Sequence, residues 1–430
     1  MKYDKYKNSG AEWLGDIPLD WKTGVIGSFY TLRNEKVSDT DYPPLSVTMK
    51  GIVPQLETAA KTDAHDARKL VLKGDFAINS RSDRRGSCGV SQYDGSVSLI
   101  NTVLTPRNNM SPRYYDWLFH TVQFADEYYK NGHGIVDDLW TTRWNEMKRI
   151  LIPVPSIDTQ ETIARYLDGK IAHIDSIIAE AKASIEEYKA WKASIIYEAV
   201  TKGLDPNVEM KDSGVEWIGK IPIGWEVIRL KYFISGYKAG PFGSSLITDR
   251  LNPSGNVLVY TPEHIAKKSV DLDKNLYLPD ERIEEMQQFI VETGDIIFPI
   301  VGSLGRSMLI TEEMPTGIIN QRLAKFKLDT ERLLMDYFLW LFSRSSFYST
   351  YIDLYCRGSI IVNLTKQIVG NMPIPLPATK EEQKRICEYL ESKCSKVDFM
   401  IAEKESLIED LEAYKKSLIF EVVTGKKKVC

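Results

Sequence analysis

Three arginines lie close together in the stretch NSRSDRRGS, directly after a run of apolar residues. They are Arg81, Arg84 and Arg85, and the small polar residues Asn79 and Ser80 precede them. A guanidinium group forms paired hydrogen bonds with a phosphate or with the edge of guanine, and small neighbours allow close approach to a duplex. The stretch therefore predicts contact with DNA. The alternative is that these arginines form ordinary solvated ion pairs.

The second half of the chain offers a looser set of the same residue types. The stretches GYKAGPFGSSL, IVGSLGRS and NQR combine a basic side chain with glycine, serine or amide residues. Contact with DNA and ordinary surface exposure fit these stretches about equally well. The candidate DNA-binding residues of this half are Lys238, Ser244, Ser245, Ser303, Arg306, Asn320, Gln321 and Arg322.

The sequence lacks the motifs expected of a nucleotide-modifying enzyme. An adenine methyltransferase needs an N/D-P-P-Y/F motif, whereas DYPPL places its tyrosine ahead of the prolines. The glycine-rich stretches AGPFGSS and VGSLGRS lack the strand–turn–helix context of a cofactor loop, and no phosphate-binding G-x-x-x-x-G-K-[ST] loop occurs. The five histidines have no metal-ligand spacing. We therefore expect no catalytic residue, no cofactor and no bound metal.

The composition favours a multidomain protein that does not span a membrane. The 430 residues are 43% hydrophobic and 27% charged, and the net charge of −4 still allows a local basic face. No apolar run approaches the ~20 residues that span a bilayer, and the N-terminal MKYDKYKNSG lacks the apolar core of a secretory signal. Five cysteines without a C-x-x-C pair fit a reducing compartment. We expect a cytoplasmic location.

The elements that must position these candidates occur twice. Residues 8–21 read NSGAEWLGDIPLDW and residues 212–225 read DSGVEWIGKIPIGW, so Ser, Gly, Glu, Trp, Gly, Ile, Pro and Trp recur in the same order. Unrelated segments of this length would share about one residue, so the match indicates an internal repeat. The two copies lie too far apart for a solenoid, which indicates two domain-sized halves.

A second repeated stretch ends each half and has helical periodicity. Residues 160–201 and 383–424 follow the proline-containing runs LIPVPS and PIPLPA, and their apolar residues alternate mostly four and three positions apart. Such a narrow stripe is typical of a two-helix seam, and each helix would be ~60 Å long. Two separate helices, each lying on its own domain, are the alternative. The predicted seam comprises Leu167, Ile171, Ile174, Ile178, Ala181, Ile185, Tyr188, Trp191, Ile195, Leu390, Cys394, Val397, Ile401, Lys404, Ile408, Leu411, Tyr414 and Leu418.

The duplication predicts an α+β molecule with pseudo-two-fold symmetry. A symmetry axis perpendicular to the helices makes them pair as an antiparallel coiled coil that separates two globular domains. Lys404 interrupts the apolar stripe, either as a determinant of register or partner or as a lysine whose amine reaches water at the edge of the seam. The predicted boundaries are a first globular domain at 1–155, a central spacer helix at 156–203, a second globular domain at 204–377 and a C-terminal spacer helix at 378–425.

Together these features resemble the specificity subunit of type I restriction–modification enzymes. The resemblance rests on the W-x-G-x-I-P-x-x-W segments, the Gly-Asp turns in KGDFAINSR and TGDIIFPIVGSLGR, and the P-[IV]-P runs before helices that end in YEAVT and FEVVT. It covers essentially the whole chain, in order and twice. In one departure, the glutamate expected before the helix-opening glutamine is Glu382 in the second half but Thr159 in the first. We expect this difference to alter a capping contact without affecting function.

The resemblance implies two target-recognition domains that each read one half of a bipartite DNA sequence, with the helices fixing the spacing. It also implies two docked modification subunits that methylate adenine, restriction subunits that join them to cleave unmodified DNA, and no catalysis by this chain. Two other interpretations are a stand-alone DNA adenine methyltransferase and a coiled-coil adaptor without DNA contact. Binding of S-adenosylmethionine by the isolated chain tests the first, and selection of a split target by the complex tests the second.

Overall fold

The chain folds into two compact units that two long helices connect. The computed structural model describes residues 2–55, 67–81, 84–107, 109–134, 140–242, 246, 251–271, 274–302, 304–356 and 364–429. Both units combine helices with β-sheets, which confirms the predicted α+β class. Unit 1 comprises Met1–Ala183 and Lys404–Cys430, and unit 2 comprises Ser184–Glu403.

Unit 1 combines short strands with two short aromatic-rich helices and the first part of a long helix. Its helices are α1 (Pro112–Phe119), α2 (Val122–Lys130), α3 (Trp144–Met147) and the start of α4 (Ile157–Lys202). Its strands are β1 (Tyr6–Asn8), β2 (Asp16–Pro18), β3 (Lys22–Val25), β4 (Tyr30–Arg33), β5 (Lys36–Val37), β6 (Leu45–Thr48), β7 (Gly51–Pro54), β8 (Arg68–Val71), β9 (Phe76–Asn79), β10 (Cys88–Val90), β11 (Gly95–Val97), β12 (Asn101–Pro106) and β13 (Leu151–Val154).

A four-stranded antiparallel sheet with the order β10-β9-β12-β4 lies at the centre of unit 1. All four residues of β9 are buried, as its apolar sequence FAIN predicts. The apolar face of α1 buries Tyr115 and Phe119 in the same core as Phe76. A second sheet with the order β11-β8-β5 and the hairpin β6-β7 complete the globular part. The aromatic core therefore supports the end of β9, where the arginine-rich stretch begins.

Unit 2 repeats this plan with different lengths. Its helices are α5 (Pro262–Lys267), α6 (Ile283–Met286), α7 (Met335–Phe342), α8 (Phe347–Cys356), α9 (Lys366–Gly370) and the start of α10 (Lys380–Val423). Its strands are β14 (Met210–Asp212), β15 (Lys220–Pro222), β16 (Glu226–Arg229), β17 (Ile234–Ala239), β18 (Val257–Tyr260), β19 (Tyr277–Leu278), β20 (Asp295–Pro299), β21 (Met308–Leu309), β22 (Gly317–Ile319), β23 (Leu323–Leu328) and β24 (Pro373–Leu376).

The central sheet of unit 2 has the order β17-β23-β20-β21 and matches that of unit 1 strand for strand. Helix α7 covers it with Phe338 and Phe342, which pack in one core with Phe298 and Phe326. The second sheet differs because β22 pairs with β18 in parallel, whereas β19 pairs with β18 antiparallel. The two halves therefore share a central scaffold and diverge outside it.

Duplicated side chains attach each globular part to its long helix. In unit 1 the Tyr114 hydroxyl donates to the carbonyl oxygen of Val423 at 2.6 Å, and in unit 2 the Tyr337 hydroxyl donates to that of Val200 at 3.2 Å. The helix-opening glutamines also serve this purpose. Gln160 Oε1 accepts the backbone N–H of Ser111 at 2.8 Å, and Gln383 Oε1 accepts that of Leu334 at 2.8 Å. The repeat therefore extends to single hydrogen bonds.

In each unit the two long helices pack against each other in opposite directions. Unit 1 contains the N-terminal part of α4 and the C-terminal part of α10, and unit 2 contains the complementary parts. In unit 1 the Asp175 carboxylate pairs with the Lys415 amine at 2.5 Å, and in unit 2 Asp398 pairs with Lys192 at 2.6 Å. Asp175 and Asp398 hold equivalent positions of the repeat, as do Lys192 and Lys415. This packing confirms the predicted antiparallel pairing.

The predicted seam is buried over most of its length. The half-buried members are Tyr188, Ile195, Ile401, Lys404, Ile408 and Leu411, and the buried members are Leu167, Ile171, Ile174, Ile178, Ala181, Ile185, Leu390, Cys394, Val397 and Leu418.

Two predicted seam residues lie outside the buried stripe. Trp191 and Tyr414 each retain 49% of their surface, which corrects their assignment to the seam. Each follows the preceding seam residue by three positions where the alternation requires four. The four-residue step reaches Lys192 and Lys415, the residues that form the two ion pairs. The two aromatic rings are therefore turned towards solvent at equivalent positions of the repeat.

A glycine with left-handed backbone conformation follows each long helix within two residues, with φ +73° at Gly203 and +74° at Gly425. A glycine relieves the steric cost of this conformation. Gly425 is tightly enclosed, because a Cβ atom there would lie 2.4 Å from the Cδ atom of Pro18. At Gly203 the nearest atom would be 3.3 Å away, in the ring of Trp225. The same helix end is packed more closely in unit 1 than in unit 2.

The difference between Glu382 and Thr159 changes a contact with the repeated opening segment. Glu382 Oε1 accepts a hydrogen bond from the indole N–H of Trp225 at 3.0 Å. In unit 1, Thr159 instead contacts Ser156 through their hydroxyl oxygens at 2.8 Å. The tryptophan equivalent to Trp225 is Trp21, whose ring packs edge-to-face against that of Tyr3 with the centroids 5.8 Å apart. The expected alteration of a capping contact therefore corresponds to different contacts of the two equivalent tryptophans.

Candidate nucleic-acid interface

The Gly-Asp turn of unit 1 fixes the direction in which β9 leaves the core. Gly74 has φ +92°, a conformation that glycine adopts without strain. The buried Asp75 carboxylate accepts the backbone N–H of Leu72 at 2.9 Å and pairs with the guanidinium group of Arg33 at 2.6 Å. Because this carboxylate has both partners, the turn is held from two sides, and the four buried residues of β9 lead from it to the arginine-rich stretch.

The first two candidates after β9 have side chains engaged within the protein. Asn79 is buried, and its Oδ1 atom accepts the backbone N–H of Arg81 at 3.0 Å. Ser80 is also buried, and its hydroxyl donates to the carbonyl oxygen of Ile100. Both side chains shape the exit of the strand, so their contact with DNA stays a prediction that requires these bonds to open.

The three arginines that follow are exposed and differ in their partners. The guanidinium group of Arg85 forms an ion pair with Asp126 and lies 5.8 Å from the ring centroid of Tyr129. The carbonyl oxygen of Arg81 accepts the Tyr129 hydroxyl at 2.8 Å, which anchors the backbone and leaves the guanidinium group at the surface. Arg84 is exposed as well. Within the part of the chain that the structure describes, Arg81 and Arg84 form no ion pair.

A basic cavity lies beside this exit, and the sequence analysis did not identify it. It has a volume of about 350 Å³ and is lined by Arg81, Lys69 and Arg143 together with Thr141 and Trp144. Lys69 lies on β8, and Arg143 directly precedes α3. These residues are far apart in sequence, so no local pattern connects them, and only the repeated tryptophans of WTTRW are conspicuous.

Unit 2 forms the equivalent turn with another partner for its aspartate. Gly294 has φ +87°, and the buried Asp295 accepts the backbone N–H of Glu292 at 2.9 Å. Its carboxylate pairs with the Lys325 amine at 2.9 Å. The strand β20 then leads to Ile300, whose N–H donates to the carbonyl oxygen of Arg322 at 2.8 Å. Ser80 makes the equivalent backbone bond to Ile100 in unit 1, at 3.3 Å.

This bond brings the NQR stretch to the exit of β20. Asn320 Oδ1 accepts the backbone N–H of Arg322 at 3.0 Å, and the side chains of Gln321 and Arg322 are exposed. Gly240 allows the close approach, because a Cβ atom there would lie 1.9 Å from the Asn320 carbonyl oxygen. Exposed Arg306 follows the same strand exit. The structure therefore gathers at one edge candidates that are separate in sequence.

The remaining candidates of unit 2 are less informative. The Lys238 amine donates to Gln288 Oε1 at 2.5 Å and lies 5.3 Å from the centroid of the Phe289 ring, so it is partly engaged within the protein. Ser244, Ser245 and Ser303 lie outside the described residues. Over the described parts of both units, no group of three or more His, Cys, Asp or Glu residues could hold a metal ion. The described helices also include none that is long and apolar enough to cross a bilayer.

Comparison with known protein families assigns the second half directly. Residues 222–409 match the family model of the type I restriction modification DNA specificity domain. This match covers the globular part of unit 2 from the end of the repeated opening segment and extends into α10. The second half of the chain is therefore similar to the DNA specificity domain of type I restriction–modification systems.

Curated relatives extend this similarity to the whole chain. The MjaVIII specificity subunit of a type I restriction enzyme from Methanocaldococcus jannaschii is 23% identical over 429 residues, 96% of this chain and 94% of the relative. The putative MjaX specificity subunit of the same organism is 23% identical over 455 residues, 100% of this chain and 99% of the relative. Both relatives are named as specificity subunits and not as enzymes of modification or cleavage, in agreement with the expected non-catalytic role.

Solved structures share the fold of this chain. A chain from the structural work on complex assembly and conformational transition of the type I R-M system superposes with a TM-score of 0.70 at 15% identity, covering 95% of this chain and 98% of that one. The HsdS subunit from Thermoanaerobacter tengcongensis gives a TM-score of 0.52 at 16% identity, covering 99% and 100%. These likenesses confirm the fold that the repeats predicted.

Proposed function

We propose that this chain is the DNA-recognition subunit of a type I restriction–modification complex and that each globular part reads one half of a bipartite target. The observation that carries the proposal is the pair of equivalent strand exits, each of which presents exposed guanidinium groups. In unit 1 these belong to Arg81 and Arg84, and in unit 2 to Arg306 and Arg322. Guanidinium groups read guanine edges and bind phosphates, so both exits have suitable chemistry.

The residues at the two exits differ, which supports two different half-sites. The exit of unit 1 is rich in arginine, whereas that of unit 2 adds the amide side chain of Gln321 to its arginines. Amide groups pair with adenine and guanidinium groups with guanine. The proposed recognition domains are 1–155 and 204–377, and the spacer helices are 156–203 and 378–425.

The exposed aromatic rings at equivalent positions of the long helices support docking of two copies of one partner. Trp191 and Tyr414 occupy the same position of the repeat, and both are half-exposed. Aromatic residues of this kind contribute strongly to binding when a partner buries them. We assign these sites to two modification subunits that methylate adenine, with restriction subunits joining the complex in the cytoplasm.

Selection of DNA from a library tests the recognition function. The chain is assembled with its modification subunits and offered duplexes with random half-sites and variable spacers, and one split motif should be enriched. Arg84→Ala should weaken binding by ~1–3 kcal/mol, with relaxed preference in one half-site only. The matched control is Arg149→Ala, an exposed arginine next to β13. Absence of any split motif would favour the adaptor interpretation.

A change in helix length tests the spacing function separately. Inserting seven residues into both long helices keeps the heptad phase, so the helices still pair. The enriched motif should keep both half-sites and change its spacer. An unchanged spacer would contradict the proposal that the helices set it.

A binding stoichiometry tests the docking sites. Trp191→Ala and Tyr414→Ala should each remove one of two modification subunits, and the double variant should remove both. Mass photometry of the assembled complex counts the copies. Glu187→Ala and Asp410→Ala change exposed residues at equivalent positions of the repeat and serve as controls. Full occupancy in the double variant would contradict the assignment.

A further inference from the structure

The basic cavity of unit 1 contains cations from three separate chain segments. Lys69 comes from β8, Arg81 from the exit of β9, and Arg143 from the segment before α3. Among the described residues that line the cavity, none carries a carboxylate. Positive groups gathered around one cavity repel one another, and an anion in the cavity removes this repulsion.

Hydrogen bonds hold the walls of the cavity. The backbone N–H of Ser80 donates to the carbonyl oxygen of Ile100 at 3.3 Å, and the N–H of Thr142 donates to that of Ser80 at 3.0 Å. Arg81 and Thr141 face each other in an isolated β-bridge. These bonds fix the exit of β9 relative to the segment before α3, and a bond from the Lys69 amine to the carbonyl oxygen of Asn101 joins β8 to the same region.

Lys69 is the most enclosed of the three cations. Its amine donates to the carbonyl oxygen of Asn101 at 2.6 Å, which leaves further N–H groups for a ligand. Burial lowers the pKa of the Lys69 ammonium group from its ordinary value. Over the described residues, no ion pair compensates this burial, so a bound anion would stabilise the charged form.

We propose that this cavity is a phosphate-binding site and that its ligand is a backbone phosphate of the DNA half-site read by unit 1. The volume of about 350 Å³ lies at the small end of ordinary ligand cavities. This proposal rests on the proposed function for its source of phosphate, because a free phosphate or nucleotide has the same chemistry.

Unit 2 does not repeat the cavity's pair of arginines. The backbone bond from Thr142 to Ser80 has its equivalent in the bond from Leu364 to Ile300, at 2.9 Å. Counted from these bonds, Thr365 stands where unit 1 has Arg143, and Val301 stands where unit 1 has Arg81. The site therefore belongs to one half of the repeat. It predicts that unit 1 makes a phosphate contact for which unit 2 has no equivalent.

The salt dependence of DNA binding by the full complex tests the site. Arg143→Ala removes one cation, so the slope of log affinity against log salt should fall by ~0.9. The loss should be the same for every sequence, because a phosphate contact carries no base information. Arg149→Ala is the matched control. A slope change with Arg143→Ala no larger than that of the control would overturn the site.

Removal of single phosphate charges from the DNA identifies the ligand. One methylphosphonate substitution in the half-site read by unit 1 should weaken binding of the unaltered complex and leave the Arg143→Ala complex unaffected. If each methylphosphonate substitution weakens binding of the Arg143→Ala complex as much as it weakens binding of the unaltered complex, Arg143 contacts none of the substituted phosphates. That result rejects the backbone phosphate as its ligand.

Acylation of Lys69, followed by mass spectrometry, separates this proposal from the proposed function. The substrate is the full complex, alone, with inorganic phosphate, or with duplex DNA. Protection by DNA supports the site as stated. If inorganic phosphate protects Lys69 in a complex that binds no DNA, the cavity is an anion site, but its ligand is not a DNA phosphate. No protection by either ligand rejects the site.

Discussion

The Gly-Asp turns of the two units share a backbone and differ in the cation that holds the aspartate. Asp75 pairs with Arg33, which lies on β4, whereas Asp295 pairs with Lys325, which lies on β23. In both turns the carboxylate also accepts an N–H from three residues earlier. The buried charge requires compensation. It comes from the adjacent strand β23 in unit 2 and from β4, one strand further across the sheet, in unit 1. Duplication has preserved this requirement while the compensating residue changed.

A second contrast concerns what surrounds the shared central sheet. Unit 1 adds an antiparallel sheet and a separate hairpin, whereas unit 2 adds a mixed sheet containing a parallel pair. The anchors to the long helices are conserved between the units to single hydrogen bonds, and the surfaces at the strand exits are not. The part of each unit that attaches to the helices has therefore changed less than the part proposed to meet DNA.

Truncation of an equivalent seam leucine in each unit tests whether the shared scaffold is equally stable. Leu167→Ala and Leu390→Ala should each lower the free energy of unfolding by ~2–5 kcal/mol, because both side chains are fully buried and leave a cavity. Urea denaturation followed by circular dichroism measures the change. Lys182→Ala and Glu405→Ala, exposed and equivalent, should cost less than ~0.5 kcal/mol. Unequal costs for the two leucines would break the equivalence.

Substitution of the glycines that follow the long helices should destabilise the two units by different amounts. Gly203→Ala should cost ~1–2 kcal/mol, the usual price of a left-handed backbone for a residue with a Cβ atom. Gly425→Ala should cost more, because the new methyl group also displaces Pro18. The melting temperature measures both. Gly169→Ala, in the interior of α4 with open space around it, should be slightly stabilising. Equal losses at Gly203 and Gly425 would contradict the closer packing of unit 1.

The stability of unit 2 should depend on Glu382, because this residue accepts the hydrogen bond of Trp225. Glu382→Ala leaves the buried indole N–H without its acceptor and should cost ~1–3 kcal/mol. Glu382→Gln keeps an acceptor and should recover much of this loss. Thr159→Ala at the equivalent position of unit 1 should cost less, because the Thr159 hydroxyl contacts the exposed Ser156 hydroxyl and the Trp21 ring packs against Tyr3. Thermal unfolding of the three variants ranks the effects, and a larger loss at Thr159 would refute this difference between the two tryptophans.

The two ion pairs between the long helices should contribute least to stability, and their coupling energies should agree most closely between the units. Both pairs are partly exposed, so each should contribute ~0–1 kcal/mol, less at high salt. Double-mutant cycles on Lys192 with Asp398 and on Lys415 with Asp175 give the two coupling energies. The two coupling energies should be equal because the pairs hold equivalent positions of the repeat. Coupling energies of opposite sign would contradict this expectation.

The architecture could be predicted because its signals are local or repeated. The long helices follow from apolar residues a few positions apart, and the antiparallel pairing follows from duplication. Trp191 and Tyr414 were assigned wrongly because apolar character was preferred over the regular step, which leads to Lys192 and Lys415. The heptad phase was the better guide, since it reflects helix geometry.

The candidate interface was less accessible to sequence analysis because it depends on distant contacts. Asn79 and Ser80 are compatible with DNA contact by residue type, but their bonds to Arg81 and Ile100 are visible only in the fold. Lys69 and Arg143 were missed because they reach the cavity from segments that share no pattern. Local motifs located the strand exits, and tertiary structure determines which side chains remain available there.

The contact of Gly240 with Asn320 gives the exit of unit 2 an unusual sensitivity. Any side chain at position 240 would act as a wedge under the NQR stretch, since the first added carbon already overlaps the Asn320 carbonyl oxygen. Libraries that randomise the three loop residues while retaining this glycine would vary chemistry on a constant backbone. Libraries that vary the glycine alone would shift the backbone beneath the unchanged NQR side chains. The residue types and the backbone position of this exit can therefore be engineered independently.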